Sequence, residues 1–154
     1  MSPWERWTFN ILSMAVFLTG VVYFCMKYLL EQNDPFSVIN HPLQPLMLNL
    51  HILASPLLLL VFGIIFRPHV VKKLQKGHSP NRRSGWIVLL SCIPMTISGY
   101  LLQVVTDPFL LRVDLVIHLV SGTFFGVTCV IHLLVGLGIR RKTVIQREKT
   151  RLVT

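Results

Sequence analysis

Four histidines lie in or beside long apolar segments, and their spacing suits iron ligation. His118 and His132 are fourteen residues apart in one segment, and His51 and His69 are eighteen residues apart around another. At about 100° per residue, both spacings bring the second ring of an α-helix back close to the face of the first. Fourteen residues also separate two rings by roughly 21 Å along the axis, one near each side of a membrane. Paired histidines at two depths are the donor set for two bis-histidine haems.

The composition indicates a membrane protein. The chain has 154 residues, of which 53% are hydrophobic and 14% charged, whereas an average soluble domain has about 25% charged residues. Four apolar segments, at about 7–30, 46–66, 86–105 and 115–139, each reach the ~20 residues that a spanning helix needs. We therefore predict an all-α fold, a four-helix transmembrane bundle that forms a single domain over residues 1–154 and ends in a basic tail at 140–154.

The basic residues predict the orientation. Thirteen of the fifteen lysines and arginines fall at Arg6, in the loop at 67–83 and in the tail. By the positive-inside rule this side is cytoplasmic, as are both termini, and the loops at 31–45 and 106–114 face outside. Those outer loops carry four acidic residues: Glu31, Asp34, Asp107 and Asp114. Because the net charge of +9 is distributed in this way, it does not indicate nucleic acid, and we interpret the basic tail as a patch for anionic lipid.

The direction of the spans pairs the histidines. The second and fourth spans both run from outside to inside, which places His51 and His118 at the outer side and His69 and His132 at the inner side. We predict an outer haem held by the first pair and an inner haem held by the second. Two neutral imidazoles fill both axial positions and suit electron transfer. Because Pro68 precedes His69, we expect the helix to end near residues 66–67, with His69 either turned back as a ligand or interfacial.

Small and polar residues could complete the haem sites. Gly122 shares the face of His118 and His132, where a glycine lets a flat macrocycle approach the backbone, and Gly63 and Gly99 could serve likewise. Glycine is equally common at ordinary contacts between membrane helices.

The outer half of the third span, beyond Pro94, is polar. Ser98, Tyr100 and Gln103 there either line a cofactor or form a packing seam. His41 and Gln44 lie in the proline-flanked outer loop, and with Gln103 they are candidates for contact with a quinone or a partner. For His41 three roles stay open: a further haem ligand, a contact to a haem propionate or a quinol, or a solvated loop residue.

The three cysteines, Cys25, Cys92 and Cys129, all lie in spans, where free cysteines behave as small buried hydrophobes. The sequence has no CxxCH motif, so covalent c-type haem is not expected.

Taken together, these motifs resemble a four-helix cytochrome b. The fourteen-residue spacing is similar to that of the cytochrome b anchors of formate dehydrogenases and nickel–iron hydrogenases, and of the cytochrome b561 type. The whole chain looks like a compact bacterial cytochrome b, on these residues: His41-Pro42-Leu43-Gln44-Pro45, Leu50-His51, Arg67-Pro68-His69, Arg83-Ser84-Gly85, Pro94, Ser98-Gly99-Tyr100-Leu101-Leu102-Gln103, His118 and His132. The resemblance implies non-covalent haem b between helices, and electron exchange between the quinone pool and a partner.

One departure from the resemblance concerns the inner haem. The dehydrogenase anchors use a histidine of the first span for it, whereas this first span offers only Met14, Cys25 and Met26. The inner haem therefore uses His69 or is absent.

The function expected from these patterns is that of a diheme electron-transfer subunit in the bacterial inner membrane. It would relay electrons between quinone and a periplasmic c-type cytochrome or dehydrogenase subunit, within a larger complex that includes other membrane subunits. Two alternatives stay open. One is a histidine-based metal or proton transporter, which would need carboxylates inside the membrane, and the predicted span cores have none. The other is a cofactor-free scaffold subunit whose histidines hydrogen-bond across helices.

Overall fold

All regular structure in the described part of the chain is helical. The computed structural model describes residues 2–31, 37–75 and 82–153. Its elements are α1 (Pro3–Tyr28), α2 (Gln44–Ile65), a π-helical segment (Phe66–Val71), the short α3 (Lys72–Gln75), α4 (Arg82–Val104) and α5 (Pro108–Val153). The predicted all-α fold is confirmed. Residues 76–81 of the predicted basic loop and Asp34 of the predicted acidic loop lie outside the described residues.

Four of these helices are long and apolar enough to cross a membrane. They cover Pro3–Tyr28, Gln44–Val71, Gly85–Val104 and Pro108–Gly138. The prediction of four spans and of a multi-pass membrane protein is confirmed. The limits differ from those expected, since the first span begins at Pro3 instead of residue 7 and the last at Pro108 instead of residue 115.

The chain divides into two compact units, each built on one pair of packed helices. In the first unit, Met1–Gln75, α1 packs along α2, and in the second, Lys76–Thr154, α4 packs along α5. A capping box starts α1, because the Ser2 hydroxyl accepts the Glu5 N–H (3.2 Å) and the Glu5 carboxylate accepts the Ser2 N–H (2.7 Å).

Side-chain hydrogen bonds also fix the loop between α1 and α2. The Asn40 amide donates to the carbonyls of Lys27 (2.8 Å) and Leu30 (3.0 Å), near the end of α1. The Asn40 backbone N–H donates to the side chain of Gln44 (3.1 Å), the first residue of α2. The end of α1 is thereby held against the start of α2.

The predicted outer loop at 106–114 is almost absent. Asp107 Oδ1 accepts the N–H groups of Phe109 (3.0 Å) and Leu110 (2.9 Å), and Pro108 is the first residue of α5. An aspartate cap followed by proline is a strong start signal, and it outweighs the charges of Arg112 and Asp114 that suggested a loop. Asp114 is therefore a residue of a spanning helix. At the other end, α5 continues through the predicted tail to Val153.

The α-helix of the second span ends close to the predicted limit at 66–67, since α2 ends at Ile65 and Phe66 is its C-cap. The chain stays helical beyond α2 as a π-helical segment that contains Pro68 and His69, and the Lys72 N–H donates to the carbonyls of Arg67 and His69. Proline lacks an N–H, and a widened turn accommodates the missing bond without ending the helix. The eighteen steps from His51 to His69 are therefore not all α-helical, and regular α-helical spacing does not give their relative direction.

Candidate functional site

In the first unit, His51 of α2 is hydrogen-bonded to the backbone of α1. Its Nδ1 lies 2.9 Å from the Val16 carbonyl oxygen and 3.4 Å from the Thr19 hydroxyl. A carbonyl oxygen can only accept, so Nδ1 carries the proton and donates it. In the neutral ring the lone pair is then on Nε2. This tautomer ligates metals through Nε2, with its second nitrogen held by the protein.

A glycine and a hydroxyl complete the surroundings of His51. A Cβ atom placed on Gly20 would lie 2.9 Å from Cε1 of the ring, which is closer than real Cβ contacts, and 3.1 Å from Nδ1. Only glycine lets the ring lie this close to α1. The Thr19 hydroxyl donates to the Ala15 carbonyl (2.8 Å), so its oxygen faces the Nδ1–H of His51 as an acceptor.

In the second unit, His118 of α5 meets α4 in the same way. Its Nδ1 lies 3.1 Å from the Met95 carbonyl oxygen and 3.2 Å from the Ser98 hydroxyl. Ser98 is only 1% exposed, and its hydroxyl donates to the Pro94 carbonyl (2.7 Å), so its oxygen also acts as the acceptor for the ring. The lone pair of the neutral His118 is therefore likewise on Nε2.

The two histidines share one local pattern, which we name the histidine cradle. In each unit the preceding helix supplies a carbonyl at position n, a hydroxyl at n+3 and a glycine at n+4. The residues are Val16, Thr19 and Gly20 for His51, and Met95, Ser98 and Gly99 for His118. A Cβ on Gly99 would lie 3.1 Å from Cε1 of His118. Sequence reasoning missed the whole first cradle, although the pair Thr19-Gly20 repeats the pair Ser98-Gly99.

The imidazole of His41 has the opposite arrangement. Its Nδ1 accepts the N–H of Leu43 (3.1 Å), and its carbonyl accepts the N–H of Gln44 (2.9 Å), in the turn that leads into α2. In the neutral ring Nε2 therefore carries the proton. Ligation of iron through Nε2 would require this turn contact to break. Of the three roles left open by the sequence, the geometry favours those in which His41 donates a hydrogen bond.

The two remaining candidate ligands are half-buried. His132 lies on the same uninterrupted helix as His118, which preserves the expected separation of roughly 21 Å. A Cβ on Gly85 of α4 would lie 3.7 Å from Cε1 of His132, an ordinary contact. A glycine of the neighbouring helix therefore lies against this ring too. His69 lies inside the π-helical segment.

The other predicted cofactor residues have different surroundings. A Cβ on Gly122 would lie 3.9 Å from Cγ of Met95, so Gly122 lies against α4 at ordinary packing distance. Tyr100 is 56% exposed, and the Gln103 amide donates to the Gly99 carbonyl (3.1 Å). Within the described ranges, a Cβ on Gly63 would meet nothing within 4 Å. Of the predicted polar residues, Ser98 is the one placed directly on a histidine ring.

A bare metal ion needs more ligands from the protein than haem iron does. Among the described residues, no three side chains of His, Cys, Asp or Glu come together as a ligand group. Haem iron needs only axial ligands from the protein, because the porphyrin fills the other four positions. The three cysteines are unbridged, and Cys92 is buried.

Comparison with known proteins yields no relative, since no protein family, no curated protein and no solved structure matches the chain.

Proposed function

We propose that this chain is a b-type haem protein of the membrane that transfers electrons, with His51 and His118 as iron ligands. The observation that supports the proposal is the shared cradle, in which Nδ1 of each ring donates to a backbone carbonyl and the lone pair of the neutral ring is on Nε2. Hydrogen bonds of this kind fix the tautomer and orientation of metal-bound histidines and raise their basicity.

The cradles supply what a haem protein must provide around its cofactor. Bound haem would supply reversible one-electron chemistry between ferric and ferrous iron. The contribution of this chain is to hold each ring in one orientation and to surround it with apolar helices. Thr19 and Ser98 strengthen that hold, because each adds a second acceptor for the Nδ1–H.

We assign a second haem to His132, with His69 as its partner ligand. The support for His132 is its position fourteen residues along α5 from His118 and the contact of its ring with Gly85. The support for His69 comes from the sequence, since it is the candidate that remains for the inner side.

The wider role completes the proposal. We propose that the protein relays electrons between quinone and a periplasmic c-type cytochrome or dehydrogenase subunit. It would do so in a bacterial inner membrane, with both termini cytoplasmic, as one subunit of a larger complex. The distribution of basic residues supports the orientation.

The decisive experiment is a pyridine haemochrome assay on the full chain purified from membranes, together with its reduced visible spectrum. We expect two haems b per chain, both extractable by acidic acetone. A value of one would remove the assignment of His69 and His132 as a second site, and a value of zero would remove the haem function altogether.

A proton transporter is the second candidate, and one observation favours it. That alternative requires a carboxylate inside a span near a histidine, and Asp114 meets this requirement, since it lies in α5 four residues before His118 and is buried. A purified protein without a haem spectrum that carries protons across liposome membranes would support this candidate over the first.

A further inference from the structure

The hydroxyl–glycine pair of the two cradles occurs once more in α4. Helices α1 and α4 contain three glycines, Gly20, Gly85 and Gly99, and a serine or threonine precedes each of them. A Cβ atom on each would lie closest to Cε1 of a histidine in the following spanning helix, at 2.9, 3.7 and 3.1 Å respectively. Two of these pairs belong to the cradles already described. The third pair, Ser84-Gly85, lies against His132, and Ser84 has no role in the haem proposal.

The register between α4 and α5 is the same at two positions along this helix pair. Gly99 lies against His118, and Gly85 lies against His132. The two helices are antiparallel, so fourteen residues back along α4 correspond to fourteen residues forward along α5. Because fourteen residues are close to four turns, each step returns to nearly the same helix face. The backbone position of Ser84 relative to His132 therefore repeats that of the cradle serine relative to His118.

The same edge of the imidazole faces the glycine at all three positions. The nearest ring atom is Cε1 in each case, and Cε1 is bonded to Nδ1. In the two cradles, this orientation brings Nδ1 within 3.4 Å of the hydroxyl oxygen that precedes the glycine. The carbonyl position of the pattern is residue 81, which lies outside the described residues, whereas the hydroxyl and glycine positions both lie in α4.

A local role is the alternative for Ser84. It is the third residue of α4, and a serine hydroxyl often bonds to backbone groups of its own turn. Such a bond is compatible with a contact to a histidine. Thr19 and Ser98 each donate to a carbonyl of their own helix, and each still offers its oxygen to an imidazole.

We propose that Ser84 is a positioning residue for His132, and that its hydroxyl oxygen accepts the Nδ1–H of the ring in a third histidine cradle. The lone pair of the neutral His132 is then on Nε2, where an iron ligand needs it. The inference deepens the proposed haem function and rests on it for what Nε2 binds. The hydrogen bond and the tautomer of the ring do not depend on haem.

The first test observes Nδ1 of His132 by nitrogen-15 NMR on the full chain in lipid nanodiscs. The protein is reduced with dithionite, which leaves bis-histidine haem diamagnetic, and the signal of interest is the one that His132→Asn removes. We expect a proton on Nδ1 in the wild type. Ser84→Ala should accelerate exchange of this proton with solvent about fivefold or more, the effect of one lost hydrogen bond. Ser84→Thr should restore slow exchange.

Ser91→Ala is the matched control. Ser91 lies seven residues after Ser84, close to the same face of α4, but Cys92 follows it in place of a glycine, and its hydroxyl donates to the Val88 carbonyl (3.1 Å). The control should leave the exchange rate unchanged. A wild-type His132 without a proton on Nδ1, or equal exchange rates in Ser84→Ala and the control, would overturn the inference.

The second test uses the haem itself. Ser84→Ala should raise the ratio of ferrous to ferric iron in the His132 haem about threefold at a fixed potential, a rise of about 28 mV in midpoint potential, and Ser84→Thr should reverse it. If haem is absent but proton exchange responds to Ser84, the haem proposal fails and the third cradle stands. If two haems are present and neither exchange nor potential responds, the third cradle fails and the haem proposal stands.

Discussion

The histidine cradles of the two units contain the same kinds of contact, but the contact distances differ. At His51 the carbonyl of α1 is the closer acceptor (2.9 Å) and the hydroxyl is distant (3.4 Å), whereas at His118 the two acceptors are nearly equal (3.1 and 3.2 Å). The approach to glycine is also tighter at Gly20 than at Gly99. The first cradle therefore depends mainly on the backbone and the absence of a side chain, and the second depends more on its hydroxyl.

The position one turn before each histidine differs as well. In α2 this position holds Met47, and in α5 it holds Asp114. One cradle thus has an apolar neighbour along its helix, and the other has a buried acceptor. The same hydrogen-bonding pattern around a histidine therefore occurs in two different environments, one apolar and one that contains a buried carboxylate.

The largest effect is expected from removal of the cradle histidines. His51→Ala and His118→Ala should each lower haem content by about half, because each removes a proposed axial ligand. The sequence predicts that both histidines ligate the same iron. In that case the haem lost from one variant has the same spectrum and midpoint potential as the haem lost from the other. The measurement is the haemochrome assay with a redox titration. His41→Ala is the control and should keep its haem, and an equal loss there would contradict the tautomer argument.

Replacement of His132 should distinguish the haem at His132 from the haem at His118. His132→Ala should remove one haem and leave the haem of His118, because roughly 21 Å of continuous helix lies between them. Low-temperature spectra of the reduced protein can distinguish the remaining haem from the lost one. Loss of both haems, with unchanged helix content by circular dichroism, would show that the two histidines do not serve separate sites.

An intermediate effect is expected from a methyl group on the cradle glycines. Gly20→Ala should weaken haem retention more than Gly99→Ala, because its Cβ would approach the ring to 2.9 Å instead of 3.1 Å. Overpacking of this kind costs about 1–3 kcal/mol, which is about fivefold to a hundredfold in affinity. Haem transfer to apomyoglobin measures the loss rate. Gly63→Ala is the matched control, since its Cβ meets open space, and the reverse order for Gly20 and Gly99 would contradict the comparison.

The smallest effect is expected from the hydroxyls. Ser98→Ala removes an acceptor at 3.2 Å and Thr19→Val one at 3.4 Å, while the carbonyl acceptors remain. Each change makes the imidazole a slightly weaker donor to ferric iron, so the midpoint potential should rise. At about 1 kcal/mol for one hydrogen bond, the rise at Ser98 is at most about 40 mV, with a smaller rise at Thr19. A redox titration checks the order, and a larger rise at Thr19 would reverse it.

Hydropathy predicted the number of spans and their helical state, because burial of an apolar segment in lipid depends mainly on length and composition. The predicted start of the last span, at residue 115, follows the run of apolar residues alone, whereas α5 begins at the local signal Asp107-Pro108. The end of the α-helix near residues 66–67 was predictable from Pro68, but its continuation as a π-helical segment was not. A proline excludes one hydrogen bond, and a wide turn can absorb that loss, which a residue pattern does not reveal.

The candidate site was predictable only in part. The histidine spacing and the polar Ser98 were visible in the sequence, but Thr19 and Gly20 become meaningful only once α1 is known to pack on His51. The tautomer of His51 depends on the α1 carbonyl that its Nδ1 meets, which is a tertiary contact. The tautomer of His41 depends on the Leu43 N–H within its own turn. The burial of Asp114 likewise follows from the early start of α5, so an error in one helix limit concealed a functional candidate.

The hydroxyls of Thr19 and Ser98 also give each histidine a fixed polarity. Each hydroxyl directs its hydrogen to a carbonyl of its own helix and offers only its oxygen to the histidine. Both acceptors of each cradle therefore face the Nδ1–H, and a move of that proton to Nε2 would place a lone pair against two oxygen atoms. Each cradle thus acts as a lock on the tautomer as well as on the orientation of the ring.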